Sequence, residues 1–382
     1  MLPSYFSDFG KIIKDNINTI CVGDYKVGDV DLNTLCNLAL LRLDHVSITP
    51  SAKHEKKLTK KQLKQMRAFY SPYVRFMTDR YHRLYTAKTG KFYPQYIPEE
   101  MFFMWIDRYF CHRQEARYLD NKCYYYKLFS HIKLPEAVAL KIGNTWLDSD
   151  FKVVSTKTIR EKLRNEKEVV VKQATNSEGG YGVKFVNGAK LADVLFGKIA
   201  RAKEDFVIQR PVRQHKDMVA FHPESVNTMR IVSLLTGDKV KVYAVSLKVG
   251  VGKERIDNGC HGGIYCGVKP DGSLMDYGIS DKGEVIYKHP TLGYSFSGKK
   301  IPHLNKAIKL VKEAHSFMGH FRLVSWDVAI DDDDEAVLIE ANLTLGGIND
   351  VQMSNGRPLF GKDTKKILDE VFGGRRKVTT LL

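Results

Sequence analysis

The sequence predicts an α+β protein in which mainly antiparallel strands follow a mostly helical N-terminal region. Residues 1–115 carry aromatic residues at helical spacing, a pattern that Pro72 interrupts and Gly90 ends. From residue 168 onward, short apolar runs alternate with turn residues, as expected for strands. A chain of 382 residues can bury two or three domain cores. We predict a helical region, a small subdomain, a larger C-terminal subdomain and a tail at residues 1–115, 116–205, 206–375 and 376–382.

Apolar periodicity and turn residues place the individual elements. Helices are predicted at 53–67, 101–132, 190–202, 304–318 and 362–372. Asp120 and Asn121 offer an N-cap inside the second of these helices. Strands are predicted at 168–174, 183–186, 205–212, 227–235, 239–249 and 261–268, followed by a hairpin. The β-loop-β-α-β order after residue 168 indicates a small sheet with a glycine-rich flap.

Composition argues against several classes of protein. No apolar run approaches the roughly 18 to 20 residues that span a bilayer, and Asp8 interrupts the N-terminal stretch where a secretory signal would need an apolar core. Six cysteines without a CxxC pair indicate reduced thiols. We expect a cytoplasmic protein, with peripheral attachment at the inner membrane surface as an alternative.

The net charge of +16 is concentrated partly between Lys53 and Arg67, where Leu58, Leu63 and Met66 fall on one side of a helix. The lysines around them form either a solvated face or a surface that attracts an anionic glycan, a lipid-carrier phosphate or an anionic membrane. No signature of a nucleic-acid-binding domain accompanies the charge, so nucleic acid is not an expected partner.

The hairpin near residue 330 is the most informative element. If its loop is DDDDEA (331–336), Ile330 faces Val337, and Asp327 lies directly opposite Glu340. Asn342 projects from the same face as Glu340, because side chains alternate along a strand. The other, apolar face takes Val337, Ile339 and Ala341.

Two opposed carboxylates repel each other, and burying them without a counter-charge is costly. A divalent cation removes that penalty, and Mg²⁺ prefers sparse oxygen ligands that phosphates and water complete. We therefore predict a magnesium site at Asp327, Glu340 and Asn342. The acidic tip of the hairpin is expected to be solvated.

Basic residues near glycines indicate a site for phosphate groups. Lys172 ends a predicted strand ahead of the segment 176–182, whose glycines allow backbone N–H groups to approach phosphate oxygens. The segment is not a Walker A loop, because it has no GK[ST] and no following helix. Lys122, expected in the first turn of a helix, and Arg230, three residues after Asn227, are further candidate anion ligands.

These segments together resemble the ATP-grasp superfamily and, within it, the sugar-transfer-associated ATP-grasp family. The match runs from about Thr89 to Phe372. It includes TGKFYPQYIPEE, LDNKCYYYKLF, VVVKQATNSEGGYGV, FVIQRPVRQH, ESVNTMRIVSLL, GGIYCGV, SWDVAI and LIEANLTLGGIND. The resemblance implies two α+β subdomains that grip ATP, with two Mg²⁺ ions, and rests on the order and spacing of the segments.

Roles follow from the resemblance, position by position. It implies that Lys122 and Lys172 contact the ATP phosphates, and that the flap covers them with Ser177, Gly179, Gly180 and Gly182. The hinge beside the adenine would be Gln209, Arg210 and Val212, and either His215 or Asp217 would contact the ribose. Asp327 would bind one magnesium ion, Glu340 both ions and Asn342 the second. A turn that resembles an acceptor-side loop contains Asn258, His261, Gly262 and Gly263, and Asn227 is a further candidate substrate contact.

The sequence also departs from the family pattern. Many ATP-grasp carboxylate–amine ligases have an arginine two residues before the first metal aspartate, where this chain has Ser325, and many have glutamate where it has Gln209. Arg230 is then the first candidate to stabilise an acyl phosphate, and Lys172 the second catalytic candidate.

The resemblance implies a ligase that activates a carboxylate as an acyl phosphate and joins it to an amine. Its family context suggests a sugar or polysaccharide precursor as substrate. Two alternatives remain open: an ATP-grasp phosphotransferase acting on a hydroxyl, and a non-catalytic basic protein that binds a glycan or another anion.

Overall fold

The computed structural model describes residues 55–112, 115–116, 119–175, 182–280, 282–344, 346–373 and 378–379. Their contacts define two compact units, one drawn from residues 1–109 and 356–382 and the other from residues 110–355. Within the described ranges, no helix is long and apolar enough to cross a membrane.

The helices have the following bounds: α1 Lys60–Tyr70, α2 Arg80–Thr89, α3 99–110, α4 Tyr125–Leu128, α5 Thr156–Arg164, α6 188–201, α7 Lys216–Val219, α8 Leu304–His315, α9 Asn349–Asn355 and α10 Thr364–Phe372. The strands are β1 Val74–Phe76, β2 Ala137–Ile142, β3 Thr145–Leu147, β4 Val169–Gln173, β5 Lys184–Val186, β6 Phe206–Gln209, β7 Met229–Thr236, β8 Lys239–Val249, β9 Ile264–Val268, β10 Leu274–Ser280, β11 Val285–Ile286, β12 Leu323–Ile330, β13 Ala336–Asn342 and β14 Val378–Thr379. The predicted α+β class with mainly antiparallel strands is confirmed.

The unit containing the N-terminal region has two well-defined helix ends. α1 begins at a capping box, in which Thr59 and Gln62 each accept the backbone N–H of the other. α2 ends at Gly90, whose φ of 69° suits a residue without Cβ, as its position after the helix predicts. The predicted helix 101–132 is wrong as a single element. α3 ends at Phe110, and α4 covers only Tyr125–Leu128.

The smaller sheet of residues 110–355 has the order β3-β2-β6-β4-β5, and its pairings are antiparallel. α5 and α6 cover one face, where Ile159 and Leu163 pack with Val169 and Ile208. β6 hydrogen-bonds to both β2 and β4. The small sheet therefore continues past the boundary expected at residue 205.

The larger sheet has the order β11-β10-β9-β8-β7-β12-β13 and is antiparallel throughout its described pairings. Every residue of β12 is buried. α8 packs on the sheet with an apolar face that includes Ala307, Leu310 and Val311. Trp326 fills the core beneath it and donates its indole N–H to Ser233 Oγ at 2.8 Å, so β12 is fixed between its neighbours.

The hairpin of β12 and β13 differs from the predicted register near its turn. Ile330 pairs with Ala336, so the connection is the five residues 331–335. One extra residue, Ile339, then forms a β-bulge, after which Asp327 pairs with Glu340 as predicted. The bulge shifts the register without changing the opposition of the two carboxylates.

The hairpin turn is also more ordered than the expectation of a solvated acidic tip. Asp331 is 6% exposed. Its Oδ1 accepts backbone N–H groups from Asp333 and Glu335 at 3.2 and 2.9 Å, and its Oδ2 lies 2.5 Å from Lys133 Nζ. Asp331 is therefore a buried, paired residue that shapes the turn.

Candidate nucleotide and metal site

A row of charged side chains crosses the middle of the large sheet. Arg230 of β7 pairs directly with Asp327 of β12, which pairs with Glu340 of β13. Directly opposed residues project from the same face, so the three side chains lie side by side. Arg230 Nε and Nη2 donate to the two carboxylate oxygens of Asp327 at 2.6 and 3.0 Å, and Lys248 Nζ of β8 donates to Asp327 Oδ2 at 3.0 Å.

These contacts correct one step of the sequence argument. The counter-charge for buried Asp327 comes from Arg230 and Lys248, so the burial of this carboxylate does not by itself require a metal ion. Burial acts to raise the pKa of Asp327, but Arg230 and then Lys248 outweigh it and hold the pKa at about 2. Asp327 is therefore ionised at neutral pH.

Asp257 supplies a second carboxylate beside Lys248. Its Oδ1 lies 3.7 Å from Lys248 Nζ, and Thr228 donates its backbone N–H and hydroxyl to Oδ2 at 2.8 and 2.5 Å. Burial raises the pKa of Asp257, and Lys248 opposes the shift. Lys248 thus lies between two buried carboxylates.

Glu340 is held by Lys122, whose Nζ lies 2.9 Å from Oε1. Lys122 is in a turn that precedes α4 rather than in the first helical turn. Its backbone N–H donates to Ala174 O at 2.9 Å, immediately after β4. Asn121 secures the same turn by donating to Asp205 Oδ2 at 2.7 Å and by accepting the Cys123 N–H at 3.0 Å.

Lys172 lies at the end of β4 and faces the same group of charges. Burial lowers the pKa of Lys172 to about 8, with Glu340 opposing the shift and Lys122 adding to it. A lysine with this pKa remains mostly protonated at neutral pH but loses its charge under mildly alkaline conditions.

A cleft lies between the two sheets. Its apolar wall contains Val170, Val183, Phe185, Val212, Val226 and Ile339. Its charged lining residues are Lys172, Lys248, Arg255, Asp257, Asp327 and Glu340. A cleft lined by both apolar and charged side chains suits a ligand with a flat base and a polyphosphate.

The hinge segment, residues 209–212, lines the cleft and has one backbone N–H group that can donate to a ligand. The Arg210 N–H donates to Glu136 O at 2.9 Å, and Pro211 has no N–H. Within this hinge, Val212 is the residue beyond β6 whose N–H can read the edge of a base. The Arg210 side chain is exposed and pairs with Glu136 and Glu166.

Arg255 connects the two sides of the cleft. Its guanidinium nitrogens donate to the two carboxylate oxygens of Glu168 at 2.8 Å each. The same guanidinium lies 3.7 Å from the ring centroid of Phe185 in β5. Arg255 thereby joins the loop after β8 to the small sheet at the cleft that both line.

The donor set fits magnesium. Asp327 and Glu340 offer carboxylate oxygens, and Asn342 offers its amide oxygen because its Nδ2 donates to Ser325 O at 2.9 Å. All three donors are hard oxygen ligands of the kind that Mg²⁺ prefers. A magnesium ion at Asp327 would compete with Arg230 and Lys248 for the carboxylate oxygens. An ion at Glu340 would compete with Lys122 in the same way.

Comparison with known proteins finds one family profile that matches part of the chain. Residues 188–368 match the profile of the sugar-transfer associated ATP-grasp family. The matched segment contains Arg230, Asp327, Glu340 and the hinge, whereas Lys122 and Lys172 precede it. No curated protein matches the chain.

Several solved structures overlap with part of the chain. An L-amino acid ligase from Bacillus licheniformis has a TM-score of 0.37 and 15% identity over 66% of this chain. The biotin carboxylase domain of Hydrogenobacter thermophilus 2-oxoglutarate carboxylase, in complex with MgADP, ADP and bicarbonate, has a TM-score of 0.42 and 12% identity over 70%. The D-alanine–D-alanine ligase of Coxiella burnetii has a TM-score of 0.38 and 9% identity over 69%. The chain spans 48%, 49% and 59% of these three structures, respectively.

The structure places some predicted ligands away from the cleft. Asn227 is fully buried and donates to Met218 O and His222 O at 2.9 Å each. Its Nδ2 also lies 3.2 Å from Gln214 Oε1. Asn227 therefore orders the chain before β7, which corrects its assignment as a substrate contact.

The predicted ribose contacts also need correction. His215 accepts the Asp217 N–H on Nδ1, and its Nε2 lies 3.2 Å from Asp334 Oδ1 at the hairpin turn. The Asp217 side chain is largely exposed. Neither residue is among the described residues that line the cleft.

The predicted acceptor-side loop is only partly in the cleft. Asn258 lines it, and its carbonyl accepts the N–H groups of His261 and Gly263 at 3.0 and 3.1 Å. The His261 ring faces Glu254 at 3.8 Å. Gly262 has a φ of 83° and completes the turn.

The predicted flap is described only at its end. Gly182 has a φ of 80°, and Val183 beside it lines the cleft. Ser177, Gly179 and Gly180 lie outside the described residues, so their predicted phosphate contacts stay predictions.

Sequence reasoning missed Lys248, Asp257 and Arg255. Of these three, Lys248 is the residue that the sequence could have identified, because it is a single charge in the apolar end of β8, AVSLKVG. A lysine in such a run needs a buried partner. Asp257 and Arg255 lie in a loop and give no comparable signal.

Proposed function

We propose that the unit formed by residues 110–355 binds Mg·ATP in the cleft between its sheets. The supporting observation is the row Arg230–Asp327–Glu340, which Lys122, Lys172 and Lys248 flank. Asp327, Glu340, Lys172 and Lys248 line the cleft together with apolar residues. The base would lie against Phe185 and Ile339 and accept the Val212 N–H. The phosphates would lie between Lys122 and Lys172.

We propose that the reaction is ATP-dependent ligation. A substrate carboxylate attacks the γ-phosphorus, the bond to the ADP leaving oxygen breaks, and an amine then displaces phosphate from the acyl phosphate to form an amide. Asp327, Glu340 and Asn342 would hold magnesium, which would neutralise charge on the triphosphate. Lys172 would hold the phosphates in line, and Arg230 would stabilise the acyl phosphate.

The proposed acceptor is a carboxylate or amine on a sugar or polysaccharide precursor. This part of the proposal is supported only by the description of the family whose profile matches residues 188–368, which is named as associated with sugar transfer. Asn258, which faces the cleft, is the residue we assign to the acceptor side. Asn258→Ala should lower acceptor-dependent ADP release more than it weakens ATP binding.

Thermal unfolding with ATP, with and without Mg²⁺, tests nucleotide and metal binding. At one hundred times the dissociation constant, a ligand adds about 2.7 kcal/mol to the free energy of unfolding. We expect a Mg²⁺-dependent increase in Tm that Glu340→Gln removes and that the exposed control Glu284→Gln retains. A folded protein with no shift for any nucleotide would refute the proposed function.

Product analysis tests the type of transfer. We expect complete ADP release only when a carboxylate and an amine are both present, with an amide as product. A phosphorylated hydroxyl as the sole product would replace the ligase by a phosphotransferase.

A further inference from the structure

A cluster of two histidines and one aspartate lies at the turn end of the β12–β13 hairpin. His215 Nε2 is 3.2 Å from Asp334 Oδ1, and His303 Nε2 is 3.6 Å from the same oxygen. One ligand atom from each of the three residues lies within 4.8 Å of the other two. Asp334 lies seven positions after Asp327, at the other end of the hairpin, so the cluster is distinct from the proposed magnesium site.

These distances suit a small transition-metal ion. A tetrahedral zinc ion with Zn–N and Zn–O bonds of about 2.0 to 2.2 Å has neighbouring ligand atoms about 3.4 Å apart. The two nitrogen–oxygen distances to Asp334 lie on either side of that value. Imidazole ligands favour zinc and related transition metals over Mg²⁺ and Ca²⁺, which prefer all-oxygen sites.

Asp334 is the carboxylate of the turn that faces the histidines. Asp331 pairs with Lys133, Asp332 with Arg213 and Glu335 with Lys306. These neighbouring acids are paired with their own bases. Among the described residues, no lysine or arginine lies within ion-pair distance of Asp334 to compete with a metal ion for its oxygens.

The three ligands differ in exposure in a way that leaves an open side. The His215 side chain is 10% exposed, whereas those of His303 and Asp334 are 33% and 51% exposed. A buried ligand fixes the position of the ion, and two accessible ligands leave room for entry and for a bound water. Three protein ligands plus water is a known coordination pattern for zinc.

Metal binding at His215 requires its ring proton to move from Nε2 to Nδ1. Without metal, Nδ1 accepts the Asp217 N–H at 3.1 Å, so Nε2 carries the proton toward Asp334. With metal on Nε2, the proton moves to Nδ1, which then no longer accepts the Asp217 N–H and needs an acceptor for its own proton. Asp217 Oδ2 lies 3.9 Å from Nδ1 on an exposed side chain and can accept it after a rotation of that side chain.

We propose that His215, His303 and Asp334 bind one divalent transition-metal ion of the zinc type, with Asp217 orienting His215. The ion would join the segment after the hinge, the residue before α8 and the hairpin turn. This site goes beyond the proposed ATP reaction and does not depend on it. Its effect would be to stabilise the hinge side of the fold.

Isothermal titration of the metal-free chain with ZnCl₂, in excess Mg²⁺ and without nucleotide, tests the site. We expect one zinc per chain, and Co²⁺ as the probe should give the visible absorption of a low-symmetry nitrogen–oxygen site. His303→Gln should weaken zinc binding at least one hundredfold, and Asp217→Asn roughly ten- to one hundredfold. The matched control His131→Gln, an exposed histidine outside the cluster, should bind as the parent does.

Thermal unfolding without metal shows whether the variants fold. His303 is partly exposed, so His303→Gln should keep the metal-free Tm of the parent but lose the zinc-dependent increase. Absence of stoichiometric zinc binding, or undiminished binding by His303→Gln, would overturn the proposal. Because no ATP is present, this outcome is independent of the result for the nucleotide site.

Discussion

Arg230 and Asp327 face each other across β7 and β12, and the arginine Nε donates to Asp327 Oδ1 at 2.6 Å. Both residues are almost fully buried. The pair therefore combines two properties: it neutralises charge within the core of the sheet, and it holds the carboxylate proposed to bind metal beside a guanidinium proposed to meet phosphate.

Removal of one partner of this pair should be strongly destabilising. Arg230→Met leaves Asp327 with Lys248 alone, and loss of one partner of a buried ion pair typically costs about 3 to 5 kcal/mol. The double variant Arg230→Met/Asp327→Leu removes both charges and should recover part of that loss. Urea unfolding measures both effects. If the double variant loses more free energy of unfolding than the two single variants lose together, this account is contradicted.

Nucleotide affinity should fall as the pH rises through about 8. Burial lowers the pKa of Lys172 to about 8 in the free protein, so the cation proposed to bind phosphate is lost above that pH. Bound ATP favours the protonated form and moves the transition to higher pH in the complex. Titration of ATP between pH 7 and pH 9.5 measures the effect.

Lys172→Arg is the matched variant for this prediction, since arginine keeps its charge over the whole range. Its ATP affinity should be nearly constant where that of the parent declines. An equal decline in both proteins would assign the pH dependence to a different group.

The loop that carries Asp257 should depend on a glycine at position 263. A Cβ there would lie 2.2 Å from Asp257 O and 2.8 Å from Asn258 O, both backbone atoms. Gly263→Ala must therefore displace the loop, and we expect lower stability together with weaker Mg·ATP binding. In Gly319→Ala no heavy atom lies within 4 Å of the added methyl group, so this control should retain both.

Arg255 and Glu168 should control how fast nucleotide leaves. Both side chains are more than one-third exposed, so the pair should contribute at most about 1 kcal/mol to stability. Arg255→Glu places two acids together across the cleft and should increase the dissociation rate of a fluorescent ATP analogue several-fold. Glu168→Arg should also increase it.

The charge-swapped double variant Arg255→Glu/Glu168→Arg restores an opposite pair and should recover part of the parent rate. The contact between Arg255 and the ring of Phe185 is not restored, so recovery should be incomplete. A double variant as fast as the single variants would show that the ion pair does not connect the two sides of the cleft.

The sequence predicted the opposition of Asp327 and Glu340 and the position of Lys172, because short-range alternation and a single hairpin determine them. It did not predict the bulge at Ile339, since the turn length and the register shift cannot be separated from residue patterns alone. The first sequence estimate of the turn was therefore one residue too long.

The pairing of Arg230 with Asp327 joins residues 97 positions apart, and it depends on β7 and β12 being neighbours in the sheet. Strand order is a tertiary property that local patterns do not encode. The same reason hid the contact between Lys248 of β8 and Asp327 of β12. Conversely, Asn227 was predicted to be a ligand because it is close to Arg230 in sequence. The sequence does not show that its side-chain amide already donates to backbone carbonyl groups.

The bulge at Ile339 has a consequence for how the chain can diverge. A regular strand turns adjacent side chains to opposite faces, yet Ile339 and Glu340 both line the cleft. The one-residue bulge therefore lets two consecutive residues, Ile339 and Glu340, contact the apolar and the charged part of one ligand. Insertions or deletions between Leu338 and Glu340 should be rare among descendants of this gene, because any change of length there removes one of the two contacts.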